Sequence, residues 1–162
     1  MKLWLFLREN KQKETTMAYD VKEIAKKILA KACPDCGDEI TNLKLQKMLY
    51  YMQGFHLACF DEPLFCDEIE AWMYGPVVPL VYDIYKMYGS SGIPCPEGEI
   101  ISLSPEEEDI FDQVYDAYGQ FSALKLMEMT HSEEPWKSTP VGIGNVISKE
   151  KIKKYFLTQI ES

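Results

Sequence analysis

Between Thr41 and Cys59 apolar residues recur at Leu45, Met48, Leu49 and Met52, and His56 and Cys59 continue the stripe. Steps of three and four line one face of an α-helix, and Thr41 just before them is a good N-cap. The spacing predicts a helix from Thr41 to about Cys59, with Gly54 inside it. Lys44 and Lys47 stand in its opening turns, where the helix dipole disfavours cations by roughly 0.3–1 kcal/mol each. They, with Tyr51, fall on a stripe off the apolar one. Two readings follow: nearby carboxylates such as Asp38, Glu39 or Glu70 offset the dipole, or the lysines and Tyr51 face a partner.

Other helices announce themselves by caps and periodicity. Asp20 precedes Val21, Ile24, Ala25, Ile28, Leu29 and Ala32, a close match to the helical template. Val77 to Tyr88 predicts a helix opened by prolines and burying Leu80, Val81, Ile84 and Tyr88. Ser104-Pro105-Glu106-Glu107 is an N-cap, an N1 proline and first-turn acids, with Ile110, Phe111, Val114, Tyr115 and Tyr118 turned inward. Ser122 caps a helix through Met129, and Ser148 one from Lys149 to Ile160. Ile69 to Trp72 alternates like a short strand, for which Val146–Ile147 is a suitable partner. Gly75-Pro76, GSSGIPCPEGE and THSEEPWK are expected to be loops. The expected fold is mainly α: one compact domain of about six helices with a small β-hairpin.

The 162 residues suffice for one domain with a substantial core. Residues 1–16 are expected to be a flexible extension, with the domain at 17–162. Leu3 to Leu7 is too brief for a signal-peptide core or a membrane span, which places the chain in the cytoplasm. Eight acids and no Lys or Arg lie between Lys86 and Lys125, leaving −1 of the −9 net charge for the rest of the chain. This balance disfavours autonomous nucleic-acid binding and suits a basic protein partner.

Chemistry has few parts to work with. Cys33-Pro-Asp-Cys36 has the spacing of half a zinc site, but a second half is missing and the thiols are expected to be reduced and metal-free. No metal or cofactor is expected. His131-Ser-Glu-Glu lacks the second histidine of HExxH, and Gly142-Ile-Gly144 is an incomplete dinucleotide loop. No GxxxxGK[ST] or GxSxG occurs. The chain is expected not to be an enzyme; the alternative is a hydrolase or transferase using His131 and Glu134. What stands out is aromatic and rigid content between helices: Trp72, Tyr74, Gly75 and Pro76, then His131, Pro135 and Trp136. Such residues plug helix ends or anchor interfaces.

Three segments in order, ITNLKLQKMLYYMQGFHLA, PLFCDEIEAWMYGPVVPLVY and MTHSEEPWK, resemble the Panacea antitoxin domain, also called the SocA-like or phage-associated GepA-like family. The resemblance runs from Tyr19 to Phe156. It implies a mainly helical, non-enzymatic protein, frequent on prophages and mobile elements, that neutralises a cognate toxin by direct binding. At least one member is implied to act instead as an adaptor to a Clp-type protease, and a phage counter-defence binder is a further alternative. Lys44, Gln46, Lys47, Tyr50, Tyr51, Gln53 and Gly54 are the implied signature on the long helix. They are either interface or fold signature, and oligomeric state is left open.

Overall fold

The structure is a computed structural model and describes residues 3–4, 17–32 and 39–161. The Cys33-Pro-Asp-Cys36 turn and residues 5–16 lie outside the described residues. Helix α1 (Val21–Lys31) starts where the Asp20 carboxylate accepts the Lys22 N–H at 2.9 Å. Helix α2 (Asn42–Phe60) starts where the Thr41 hydroxyl accepts the Lys44 N–H at 3.2 Å, and ends at Asp61 in the left-handed region. At 19 residues it is about 28 Å long and forms the axis of the molecule. Every residue from Leu45 to Leu57 is buried.

Two strands follow, β2 (Ile69–Trp72) and β3 (Gly75–Val77), joined by a two-residue turn. Helix α3 (Pro79–Tyr85) runs into a 3-10 turn at Lys86–Tyr88. Then come α4 (Pro105–Tyr118), α5 (Ala123–Ser132), α6 (Glu134–Lys137), β4 (Val146–Ile147) and α7 (Lys149–Leu157). Ser104, Ser122 and Ser148 cap α4, α5 and α7 with their hydroxyls. An antiparallel sheet of order β3-β2-β4 pairs Trp72 with Gly75 and Ile69 with Ile147. Leu3–Trp4 (β1) pairs in parallel with Ile160–Glu161 (β5). Helices α1, α3, α4, α5 and α7 and strand β3 all pack on α2.

The mainly α expectation holds, and so does the pairing of Ile69–Trp72 with Val146–Ile147. Seven α-helices are described rather than about six, because the Glu134–Lys137 turn closes inside the segment expected to be a loop. Gly75-Pro76 was also expected to be loop, yet it enters β3, which pushes the start of the next helix from Val77 to Pro79. That helix buries only Val81, whereas Leu80 and Ile84 are exposed and Tyr88 is half-buried. The expected surface stripe on α2 is corrected as well: a helix covered on all sides has no outward stripe, and Lys47 and Tyr51 are completely buried.

Candidate partner-binding site and its interior support

An α-helix has no spare backbone groups in its middle, so buried polar side chains on α2 must find partners on neighbouring segments. Gln46 does so in two directions: its Oε1 accepts the Val78 N–H at 2.9 Å, and its Nε2 donates to Asn42 Oδ1 at 2.9 Å. One residue on, the Lys47 amine donates to the Pro76 carbonyl at 3.0 Å. Together they hold β3 at the edge of the sheet of order β3-β2-β4. Gln53 clamps the next segment, accepting from Leu64 N–H at 2.8 Å and donating to Phe65 O at 2.8 Å. Gly54 lies against the Phe156 ring so closely that an added Cβ would overlap it. The Lys44 amine donates to the Gly119 carbonyl at 2.6 Å, at the end of α4. Peptide carbonyls thus accept from both lysine amines, Pro76 from Lys47 and Gly119 from Lys44.

The tyrosines converge on one carboxylate. Tyr50 and Tyr51 donate their hydroxyls to Glu133 Oε1 and Oε2 at 3.0 and 2.8 Å, and Tyr155 on α7 makes a further hydrogen bond to it. Tyr118 stacks on Tyr51 with ring centres 4.1 Å apart. Burial pushes the Glu133 carboxyl up to about 7 against the opposing pull of these hydrogen bonds. Burial likewise brings Lys47 down to about 7. Glu133 is absent from the residues singled out by sequence. It occupies the corner between α5 and α6 in extended conformation, which turns its side chain inward while Glu134 points to solvent. No local signal singled it out: a proline favours the first helical position, which would make Glu134 the cap, whereas Pro135 stands second in α6.

At the surface, a run of aromatic rings crosses from α6 to α3. His131 stacks on Trp136 at 4.1 Å, the Trp136 indole donates to the Trp72 carbonyl at 2.8 Å, and Trp72 meets Tyr82 edge-on at 4.9 Å. The Trp72 indole N–H goes to Glu70 at 3.1 Å. All four rings are half-buried, and the Nε2 of His131 is enclosed without a hydrogen-bond partner among the described residues. Beside Trp72, the turn residues Met73 and Tyr74 are 68% and 63% exposed. Gly75 closes this turn at φ +107, where an added Cβ would lie 2.5 Å from Lys47 Cε. Pro76 and Pro135 are buried beneath the surface. The structure thus brings Trp72, His131 and Trp136 together, with the exposed Tyr74 two residues along the chain from Trp72, and sets Gln46 and Lys47 of α2 beneath the hairpin. Glu134 instead lines an open groove with Ser138, Ser148, Lys151, Lys154 and Tyr155.

A mainly α domain with its polar signature turned inward and an aromatic turn presented outward is the setting in which the comparisons are read. The model for the antitoxin SocA-like Panacea domain matches residues 45–137, which include most of α2, the hairpin and the His131–Trp136 corner. The protein named Antitoxin SocA of Caulobacter vibrioides (strain NA1000 / CB15N) is 31% identical, over 86% of this chain and 84% of its own length. This chain belongs to the SocA-like Panacea antitoxin domain family. No solved structure matches it. No helix among the described residues is long and apolar enough to cross a membrane.

Proposed function

We propose that this protein neutralises a cognate toxin by direct contact in the cytoplasm, through the face carrying Trp72, Met73, Tyr74, His131 and Trp136. The observation that carries the reading is the exposed Met73–Tyr74 turn beside half-buried aromatic rings, in a member of an antitoxin family. Large apolar and aromatic groups held rigidly at a surface are the usual anchors of protein interfaces. Rigidity comes from below, where Lys47 and Gln46 fix β3 and the Trp136 indole fixes Trp72. Gln46 and Lys47 of α2 therefore act by positioning the hairpin rather than by touching a partner. The eight acids between Lys86 and Lys125 favour a basic toxin and speed its encounter. A prophage or other mobile element is the expected genomic setting.

Co-expression with the product of the adjacent reading frame tests this reading. Growth arrest by that product alone, relieved by this chain, together with a complex of the two purified proteins, is the expected result. Relief that requires an active Clp-type protease would point to an adaptor. Relief without any complex would remove direct binding.

A further inference from the structure

We propose that the docking of the β2–β3 hairpin and the α5–α6 corner onto α2 is proton-dependent and loosest near neutral pH, with Glu133 and Lys47 as the two groups responsible. The inference stands on interior geometry and needs no partner; only its consequence for toxin contact rests on the reading above. Both groups sit at the same seam. Lys47 is completely buried, with its amine on the Pro76 carbonyl of β3. At Gly75 its Cε and the Thr130 hydroxyl of α5 lie within 3 Å of the same would-be Cβ. Three residues beyond Thr130, Glu133 is buried under Tyr50 and Tyr51 of α2 and Tyr155 of α7.

Among the described residues neither group belongs to an ion pair. The titratable groups facing Glu133 are Tyr50 and Tyr51 from α2, Tyr118 from α4 and Tyr155 from α7, and the amino-terminal charge adds a smaller attraction that burial outweighs. On its own corner stand His131, stacked on Trp136, and the exposed Glu134. Burial holds each of the four tyrosines above its usual range, so they stay neutral and supply no counter-charge; Tyr50 and Tyr51 donate hydrogen bonds to the carboxylate and Tyr118 stacks beside them. Around Lys47 the neighbours are neutral: the Pro76 carbonyl and the Thr130 hydroxyl. Two opposite charges are thus buried apart, each neutral more easily than charged.

The pH dependence follows from which state holds the proton. Separating the seam hydrates both groups and returns them to their ordinary values of 4.5 and 10.5. Between about 4.5 and 7 the docked form keeps a proton on Glu133 that the undocked form has lost, so raising the pH favours undocking. From about 7 to 10.5 the undocked form keeps a proton on Lys47 that the docked form lacks, so raising the pH restores docking. Opening is therefore greatest near pH 7, where many proteins are at their most stable.

Amide hydrogen exchange of the intact protein from pH 5 to 9, corrected for intrinsic exchange rates, tests this. Opening at residues 69–77 and 123–139 is expected to rise by more than about tenfold from pH 5 to 7 and to fall again by pH 9. Glu133→Gln should flatten the acidic limb and Lys47→Met the alkaline one. Carbon-13 shifts of Glu133 Cδ and Lys47 Cε in the unmodified protein serve as a second readout, independent of whether the variants fold. Midpoints near neutrality for both support the proposal. A Glu133 midpoint in the ordinary carboxylate range, or opening that changes in one direction across the whole range, overturns it.

Discussion

Lys47 would lose stability twice over in a simple helix, once to the dipole at its N-terminal end and once to burial. It is tolerated because its amine sheds its charge readily and donates to the Pro76 carbonyl of the edge strand β3. Gln53 follows the same logic without a charge. Replacing it with leucine keeps the volume but leaves the Leu64 N–H and Phe65 carbonyl unpaired in the interior. At about 1–3 kcal/mol for each of the two groups, Gln53→Leu should destabilise by roughly 2–6 kcal/mol in urea denaturation. A loss below about 1 kcal/mol would show that water reaches both groups. These residues were named from sequence, but their inward direction was not readable. A polar residue off an apolar stripe normally faces solvent, and nothing local reveals that other elements enclose α2 on every side.

Among the elements, α4 is fastened to α2 by a carboxylate at its own N-terminus. Glu107 lies 2.5 Å from His56 Nε2 and accepts the Tyr19 hydroxyl at 2.8 Å, while the other ring nitrogen of His56 meets the Glu62 carbonyl at 2.6 Å. A carbonyl only accepts, so Nδ1 is the donor in the contact with Glu62. Burial opposes the Glu107 charge, but hydrogen bonds from His56, Ser104 and Tyr19 outweigh it and hold the carboxyl well below the usual range. Because the folded value is depressed, its stabilising contribution is complete above about pH 4.5 and is lost as pH falls below that. The urea midpoint of the parent should therefore drop more steeply between pH 4.5 and 3 than that of Glu107→Gln. Parallel curves would remove Glu107 from the acid response. The acid run on α4 had been legible as a capped helix start, and the caps at Asp20, Thr41, Ser104, Ser122 and Ser148 are all present. Caps and periodicity are local, which is why they survive in a sequence. The Val77–Tyr88 helix is present from Pro79 and runs on as a 3-10 turn to Tyr88; its start was misplaced because Gly75–Val77 pairs back on β2 across a two-residue turn.

In the molecule as a whole, buried residues of α2 hold the hairpin while the Met73–Tyr74 turn stands exposed at the surface. Trp72, Tyr74, His131 and Trp136 were legible as interface candidates because aromatic residues beside prolines stand out in any sequence. The assembly of Trp72, His131 and Trp136 required the fold. So did Glu133, the residue on which three tyrosines meet. The central claim is that the exposed turn binds while α2 supports it, and one paired measurement tests it most directly. A Met73→Glu, Tyr74→Glu variant and its parent are compared for melting temperature and for affinity toward the purified product of the adjacent reading frame. Both side chains are largely exposed, so the melting temperature should move by no more than a few degrees while affinity falls by at least about tenfold. An unchanged affinity in a folded variant would contradict the account and move the partner site away from the turn.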